Sequence, residues 1–245
     1  MVEVKRLCKS FSDPKRGPFR AVDDVSFTAK PGQVFGLLGV NGAGKTTTLR
    51  MLSTIIEPES GSASVDGYDV QTNSEDVRRR IGFLSTSTAL YGRLTGSEVV
   101  HYFGRLYGLD GAVLKDRVAF VKEKLQLEEF WDRLCDKLST GQKQRISIAR
   151  TILHDPPVLF FDEPTAGLDV VTAQTVLRFI EESRESGKTI LFSTHIMSEA
   201  ERLCDEVAVI HGGKICGEGS VQALIDQTGS KRLEQAFLKL VGEQA

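Results

Sequence analysis

Residues 39–46 read Gly39-Val40-Asn41-Gly42-Ala43-Gly44-Lys45-Thr46 and fit the pattern G-x-x-x-x-G-K-[ST] of phosphate-binding loops. An apolar run before them, residues 34–38, is typical of a buried strand, and residues 47–52 after them are typical of a helix. Glycines allow successive backbone N–H groups to turn toward a polyphosphate, and a helix N-terminus adds its partial positive charge. The order of strand, glycine loop and helix therefore predicts a nucleotide site.

Within this loop two side chains have predicted tasks. Lys45 is expected to reach the β and γ phosphates, and the Thr46 hydroxyl is expected to take a place on Mg²⁺. The alternative is a glycine-rich turn between a strand and a helix that carries a Lys-Thr pair by chance. The predicted nucleotide-binding residues of this segment are Gly39, Val40, Asn41, Gly42, Ala43, Gly44, Lys45, Thr46 and Thr47.

Composition narrows the setting of such a site. The chain has 245 residues, 40% of them hydrophobic and 26% charged, which suits one large globular domain or two lobes. A formal net charge of -2 gives a nucleic-acid partner no electrostatic support, so we expect none. Residues 1–7 lack the apolar core of a signal peptide, and no apolar run approaches the roughly 20 residues that span a bilayer. We therefore expect a cytosolic chain that can sit against a membrane protein.

The order of predicted elements indicates an α/β fold in three parts. Short strands and Asp-Gly or Gly-Gly hairpin signals, at residues 65–68 and 210–215, accompany the nucleotide strand. The middle of the chain has helical spacing, with Val99, Tyr102, Phe103 and Leu106 on one face. Apolar strands then return at residues 158–161 and 189–192, with a helix between them. A helical subdomain is thus predicted to be inserted into an α/β core.

A pair of carboxylates, Asp162 and Glu163, follows the apolar strand at residues 158–161. Open α/β sheets bind ligands at the carboxyl ends of their strands. Asp162 is suited to the Mg²⁺ shell, directly or through water. Glu163 is suited to polarise the water that attacks the γ phosphate, as a general base or a water-orienting group. The alternative, that both merely end a strand in solvent, is common for acidic pairs in general.

A second candidate anion site lies at Ser139-Thr140-Gly141-Gln142. Ser139 is a natural N-cap, Gln142 stands three residues on as in a capping box, and Gly141 allows a phosphate to approach the backbone. Local chemistry alone favours a plain, well-capped helix.

The motifs together resemble those of ATP-binding-cassette (ABC) ATPases. Leu138-Ser139-Thr140-Gly141-Gln142, upstream of a strand that ends in Asp-Glu, is similar to the family's signature sequence. Asp169 in the Ala166–Asp169 segment resembles the D-loop, and His195 resembles the switch histidine. Phe11 is similar in position to the aromatic residue that stacks on adenine. The resemblance implies a phosphate-loop NTPase core with a mixed sheet, flanking helices, an antiparallel β subdomain and the inserted helical subdomain.

One position departs from the family pattern. Thr86 stands where the family usually carries a glutamine that contacts Mg²⁺ or water and senses the transporter partner. A threonine hydroxyl is shorter and has no amide, so the coupling role of that glutamine does not transfer to this chain. The expected division is a nucleotide-binding domain over 1–222, with its core at 1–85 and 155–222 and its helical subdomain at 86–154, followed by an amphipathic helical extension over 223–245.

The resemblance implies an ATP-hydrolysing subunit that powers export through separate membrane subunits, at the cytoplasmic face of the membrane. It also implies a head-to-tail dimer in which ATP and Mg²⁺ lie between the phosphate loop of one copy and Ser139, Thr140, Gly141 and Gln142 of the other. Residues 87–95 and 233–240 look like the export branch, most similar to sodium-efflux subunits, with drug and polysaccharide exporters close behind. A soluble ABC ATPase of translation or DNA repair is the alternative class, but this chain has a single cassette and no basic excess.

Overall fold

The computed structural model of the chain describes residues 1–13, 17–85 and 89–242. Strands alternate with helices, as the apolar runs and their helical spacing predict. The strands are β1 Val2–Asp13, β2 Gly17–Ala29, β3 Val34–Leu38, β4 Ser60–Val65, β5 Tyr68–Asp69, β6 Ile81–Leu84, β7 Val158–Asp162, β8 Thr189–Thr194, β9 Glu206–His211 and β10 Lys214–Gly219. The α-helices are α1 Lys45–Leu52, α2 Ser74–Arg80, α3 Gly96–Leu106, α4 Gly111–Lys124, α5 Thr140–Ile152, α6 Val170–Glu185, α7 Met197–Leu203, α8 Val221–Thr228 and α9 Leu233–Leu240. Short 3₁₀ helices cover Glu128–Phe130 and Cys135–Lys137.

The larger sheet has the strand order β10-β9-β3-β8-β7-β6 and is parallel except for β10. Every residue of β3, β7 and β8 is buried, which explains why these strands are continuous apolar runs rather than alternating ones. Because the three strands are parallel neighbours, their carboxyl ends meet at one edge of the sheet. Leu38 lies beside Thr194, and Asp162 lies beside Ser193. The loops that carry the predicted chemistry therefore start from adjacent points.

The smaller sheet is antiparallel, with the order β2-β1-β4-β5. Its β4–β5 hairpin turns through Asp66 and Gly67, whose φ angles of 50° and 86° are left-handed. Such angles suit the two central residues of a tight hairpin turn. Gly212 and Gly213, with φ of 54° and 81°, make the same kind of turn between β9 and β10. Both predicted hairpins and the mixed and antiparallel sheets of the predicted fold class are confirmed.

Helices α3, α4 and α5 and the two 3₁₀ helices lie between β6 and β7, where the inserted helical part was predicted. The predicted face of α3 is wrong in part, since Tyr102 and Leu106 are 50% and 62% exposed. The buried face instead follows Val99, Val100 and Gly104. A Cβ at Gly104 would overlap Leu114 of α4, so α3 approaches its neighbour through a glycine. Hydrophobic spacing does not register that contact because glycine has no side chain.

The C-terminal part holds two helices, α8 and α9, rather than one. Leu233 and Phe237 of α9 are buried in a cluster with Leu38 of β3 and Ala200 of α7. This packing confirms the predicted amphipathic helix and places it beside the element that follows His195. Within the described ranges, every helix is too short or too polar to cross a lipid bilayer.

Candidate nucleotide site

The phosphate loop joins β3 to α1 in a conformation that needs glycine. Gly42 and Gly44 have φ of 81° and 116°, and a Cβ at Gly44 would lie 2.5 Å from the carbonyl oxygen of Ala21. Gly44 is also the N-cap of α1, and it has no side chain to bond the first N–H groups of the helix. Those N–H groups remain available to an anion. The local geometry is therefore that of a phosphate cradle.

Lys45 is folded over this loop and is only 3% exposed. Its Nζ donates to the carbonyl oxygens of Gly39 at 2.7 Å and Val40 at 3.2 Å. The same Nζ lies 3.1 Å from Oε1 of Glu163. A buried charge is costly unless it is paired and hydrogen-bonded. These oxygens meet that requirement and hold the ammonium group at the mouth of the loop.

Asp162 ends β7 and is 1% exposed. Its Oδ1 accepts hydrogen bonds from Thr46 Oγ1 at 3.0 Å and Ser193 Oγ at 2.7 Å. Its Oδ2 is buried and has no hydrogen-bond partner among the described residues. Buried polar atoms are nearly always satisfied, so an orphaned carboxylate oxygen needs an explanation. A divalent cation, whose preferred ligands are oxygens, fits beside Asp162 and Thr46.

Glu163 has a backbone conformation that is rare for a residue with a side chain, with φ of 47°. Such a conformation costs about 1–3 kcal/mol and persists where surrounding contacts impose it, often at functional sites. Here the Glu163 N–H donates to both the carbonyl and the hydroxyl oxygen of Ser193, at 3.1 Å each. The side chain is held between Lys45 and His195, whose Nδ1 lies 3.2 Å from Oε2. The structure thus brings Lys45, Glu163 and His195 together.

The other histidines are in different settings. His101 Nδ1 lies 2.8 Å from the carbonyl oxygen of Ser97 one helical turn before it. The His154 ring stacks on Tyr107, and burial lowers its pKa from 6.5 to about 4, so it is neutral at physiological pH. His211 is exposed at the end of β9. His195 is the histidine that lies beside Glu163, as the sequence predicts from its place after a strand.

An aromatic surface flanks the phosphate loop. Phe11 of β1 and Phe19 of β2 are register partners whose ring centroids are 6.0 Å apart. Both rings are partly exposed, at 38% and 49%. They line a cavity of about 320 Å³ together with residues of the phosphate loop and α1. The lining consists of Phe11, Phe19, Ala21, Asn41, Gly42, Ala43, Gly44, Lys45, Thr46, Thr47, Arg50 and Glu163.

Ser139 and Gln142 form the predicted capping box at the start of α5. Ser139 Oγ accepts from the Gln142 N–H at 3.2 Å, and Gln142 Oε1 accepts from the Ser139 N–H at 3.0 Å. Thr140 is the first residue of the helix. A Cβ at Gly141 would lie 2.8 Å from Thr172 Oγ1, so packing against α6 also demands glycine there. This segment does not line the cavity at the phosphate loop of its own chain.

Asp169 caps the N-terminus of α6. Its Oδ1 accepts from the Thr172 N–H at 2.9 Å and its Oδ2 accepts from the Thr172 hydroxyl at 2.8 Å. These hydrogen bonds hold the pKa of the Asp169 carboxyl below its usual value. Thr172 thereby connects the predicted D-loop aspartate to the glycine of the signature sequence. Thr86 lies outside the described residues.

The sequence alone does not identify four residues of the site, which are Ser193, Phe19, Ala21 and Arg50. Ser193 is fully buried and is bonded to both acidic residues, Asp162 through its hydroxyl and Glu163 through its hydroxyl and carbonyl. A small hydroxyl residue near the end of an apolar strand was the available signal, but only the parallel register shows that it faces Asp162. Phe19 directly follows Pro18, and its pairing with Phe11 of β1 becomes visible only in the sheet.

Comparisons with known proteins agree with this geometry. Residues 22–166 match the family model described as ABC transporter. The chain is 40% identical over 243 residues to the ABC transporter ATP-binding protein NatA of Bacillus subtilis, covering 98% of each protein. It is 41% identical over 209 residues to the Nod factor export ATP-binding protein I of Ralstonia nicotianae, covering 85% of this chain and 65% of that protein.

Solved structures give the same answer. An ATP-binding subunit of an ABC transporter superimposes with a TM-score of 0.87 at 30% identity, covering 98% of this chain and 99% of that one. A dimeric post-hydrolysis state of the ATP-binding cassette MJ0796, bound to ADP and Pi, has a TM-score of 0.79 at 25% identity, covering 90% of this chain and 98% of that one. The chain therefore belongs to the ABC transporter family and is one of its ATP-binding, ATP-hydrolysing subunits.

Proposed function

We propose that Glu163 takes the proton from the water that attacks the γ phosphate of ATP. The observation that carries this assignment is the contact of Glu163 with both Lys45 at 3.1 Å and His195 at 3.2 Å, beside the phosphate loop. In this proposal Lys45 offsets the charge that develops on the transferred phosphoryl group. His195 orients Glu163 or donates a hydrogen bond to a γ-phosphate oxygen. Phe11 stacks on the base, and the N–H groups of the Gly39–Thr47 segment surround the phosphates.

Mg²⁺ is proposed to bind at Thr46 and Asp162. The support is the buried Asp162 Oδ2, which lacks a hydrogen-bond partner, and the adjacent Thr46 hydroxyl. Thr46 and Asp162 would hold the ion there, and it would supply positive charge that offsets the charge of the phosphates. Among the described residues no group of three or more His, Cys, Asp or Glu side chains is placed to hold a metal by itself. The nucleotide is therefore proposed to supply the remaining ligands.

Replacement of Asp162 by Asn tests the metal site. It removes one charge beside Thr46 while leaving an oxygen that can accept from the Ser193 hydroxyl. We expect the Mg²⁺ concentration for half-maximal hydrolysis to rise by about 10–100-fold, as metal-site substitutions commonly cause. A Mg²⁺ titration of ATPase activity measures it. Asp155→Asn, which removes a carboxylate charge at the opposite edge of the sheet, where Asp155 pairs with Lys188 at 2.8 Å, serves as the control. An unchanged Mg²⁺ requirement in Asp162→Asn would rule out the assignment.

The complete site is proposed to form between two copies of the chain arranged head to tail. Ser139, Thr140, Gly141 and Gln142 start α5 in the inserted helical part, while the phosphate loop belongs to the α/β part. The cavity beside Lys45 receives no residue from this segment of its own chain. The start of α5 is a helix N-terminus, which attracts anions. A second copy would bring its Ser139 and Gly141 to the γ phosphate, with Asp169 at the contact between the copies.

The parts of the chain are proposed to act as a core at 1–85 and 155–222, a helical subdomain at 86–154 and a C-terminal extension. The support for the helical subdomain is that α3, α4 and α5 follow one another between β6 and β7. Their hydrophobic cluster continues into the core through residues such as Phe161 of β7 and Phe192 of β8. The extension is better begun at Ser220 than at residue 223, because Ser220 is the N-cap of α8 and accepts a hydrogen bond from the Ala223 N–H.

Separate membrane-spanning subunits are proposed as the partners, with this chain at the cytoplasmic face of the membrane. The support is a set of large apolar side chains that remain exposed in and near α3. They are Tyr91, Tyr102, Leu106 and Tyr107. Scattered exposed apolar residues are normal, but several on one part of a protein are typical of a docking site. The chain is proposed to drive export, and the sequence resemblance favours sodium ions as cargo, with drugs or polysaccharides as alternatives.

Transport is tested with the chain and the membrane protein that purifies with it. Inside-out vesicles that contain the complex are expected to take up radioactive sodium when ATP is added. In such vesicles the cytoplasmic side of the membrane, and with it this chain, is exposed to the ATP in the medium. Vesicles with the Lys45→Ala variant are the control. Uptake of a drug or a polysaccharide precursor, without uptake of sodium, would show that the proposed cargo is wrong. Purification with ribosomes or DNA in place of a membrane protein would support the soluble class of ABC ATPase.

A further inference from the structure

Thr194 and Glu199 form a buried hydrogen-bonded link around the backbone of His195. The Thr194 hydroxyl donates to Glu199 Oε2 at 2.8 Å and accepts from the Ile196 N–H at 3.0 Å. Thr194 is 2% exposed and Glu199 is 7% exposed. The residues on both sides of His195 are thereby connected to one carboxylate, which lies on α7.

That carboxylate is attached to a well-packed part of the molecule. Ala200, the next residue of α7, is fully buried in a cluster with Leu38 of β3 and Phe237 of α9. The neighbouring Glu201 accepts a hydrogen bond from the Leu233 N–H at the start of α9, at 3.2 Å. Helix α7 is thus held on one side by the central sheet and on the other by the C-terminal helix. Glu199 provides a rigid point from which the loop after β8 can be positioned.

The ring of His195 has little support of its own. Its side chain is 43% exposed, and the contact described for the ring is the one with Glu163. The position of a half-exposed imidazole ring depends on its backbone, so a shift of the backbone moves the ring away from Glu163. A carboxylate is also costly to bury, so a purely structural link at this place would be met at lower cost by apolar packing. Because Glu199 is buried next to the site, we expect its carboxylate to serve the site through its hydrogen bond.

We infer that Glu199 is a positioning residue, which acts through the Thr194 hydroxyl to hold His195 beside Glu163. This inference rests on the proposed role of His195 in hydrolysis. Reacting groups need placement to within a fraction of an ångström, and supporting hydrogen bonds supply it. Glu199 itself does not touch the nucleotide cavity beside Lys45.

The orientation of His195 is tested first, by a measurement that does not depend on activity. The chain has four histidines, so nitrogen-15 spectra of the imidazole rings are simple, and His195→Gln identifies the His195 signals by their loss. Thr194→Val, which keeps the shape of the side chain and removes the hydroxyl, should shift or broaden those signals. Thr194→Ser should restore them, and Thr175→Val on α6 should leave them unchanged. Signals of Thr194→Val that coincide with those of the wild type would overturn the inference.

The acceptor on α7 is tested in the same way. Glu199→Gln keeps an oxygen that can accept from Thr194 and should give His195 signals close to those of the wild type. Glu199→Leu removes the acceptor and should reproduce the spectrum of Thr194→Val. Thermal unfolding of each variant verifies that it is folded. If Glu199→Leu leaves the His195 ring in place while Thr194→Val moves it, Glu199 has no positioning role.

Measurements of ATPase activity then test whether the hydrogen bond between Thr194 and Glu199 matters for hydrolysis. Thr194→Val and Glu199→Leu should lower kcat by about 10–100-fold, the usual effect of losing a supporting hydrogen bond at a site, with little change of KM for ATP. Combined with His195→Ala, neither should slow the enzyme further, because residues that act through one group are not additive. A full extra loss in the double variant would contradict the inference. Normal turnover of His195→Ala alone would contradict the proposed role of His195 in hydrolysis. The nitrogen-15 spectra would still show whether Thr194 and Glu199 position the His195 ring.

Discussion

Glu163→Gln is expected to lower the rate of ATP hydrolysis by about 10²–10⁴-fold, the contribution typical of a positioned general base. The amide of glutamine cannot take a proton from water at neutral pH. Glutamine occupies the same volume and tolerates the left-handed backbone of position 163 about as well as glutamate does, where φ is 47°. The hydrogen bonds from the backbone of Glu163 to Ser193 do not involve the side chain and should persist. The loss should therefore be chemical rather than structural.

The same variant is expected to dimerise in the presence of ATP, because slow hydrolysis preserves the γ phosphate that is proposed to join the two copies. Steady-state phosphate release measures the rate, and gel filtration with and without ATP measures the dimer. Glu185→Gln, at an exposed position at the end of α6, is the matched control and should behave as the wild type. Near-normal phosphate release by Glu163→Gln would exclude the assignment of the base. A monomer in the presence of ATP would count against the head-to-tail dimer.

Lys45→Ala is expected to weaken ATP binding by about 10–100-fold, since a hydrogen bond to a charged group contributes about 1.5–3 kcal/mol. The ammonium group is the buried cation at the mouth of the phosphate loop and lies 3.1 Å from Glu163. Its removal takes a positive charge away from the β and γ phosphates. It also leaves the Glu163 carboxylate without that partner, which adds repulsion toward the incoming polyphosphate.

Calorimetric titration with a slowly hydrolysed ATP analogue measures this loss. Lys188→Ala is a suitable control because Lys188 is also a largely buried lysine that pairs with a carboxylate, Asp155, at 2.8 Å. Lys188 lies before β8, at the edge of the sheet opposite the carboxyl ends, so ATP affinity should stay unchanged there. Equal affinity of Lys45→Ala and the wild type would overturn the interpretation of residues 39–46 as the phosphate loop.

Much of the fold was predictable because its signals are local. The buried strand at residues 34–38 was predicted with the bounds that the structure has, since continuous apolar runs are what a parallel, doubly covered strand requires. The hairpins at Asp66-Gly67 and Gly212-Gly213 were predictable because left-handed turns favour those residues. The face of α3 was predicted less well, because Gly104 packs closely against α4 without contributing to any hydrophobic pattern.

The residues of the candidate site likewise fall into those that the sequence identifies and those that only the fold brings together. Lys45, Asp162 and Glu163 stand in motifs whose spacing reflects one turn or one strand end, so a linear pattern identifies them. Ser193 contributes through partners 30 and 31 residues away, and Phe19 contributes through a partner on the neighbouring strand. No short linear pattern contains these relations. Gly141 combines both cases, since its motif was visible and its contact with Thr172 was not.

The sequence alone predicts a phosphate loop, a strand followed by a pair of carboxylates and a capped helix N-terminus, because each is a property of a few consecutive residues. How these parts combine is visible only in the folded chain. The parallel register places Ser193 between Asp162 and Glu163, and the contacts of Lys45 and His195 bring both to one glutamate. These relations depend on how strands are ordered in the sheet and on how α7 packs, and such long-range choices are set by the burial of the whole core rather than by neighbouring residues.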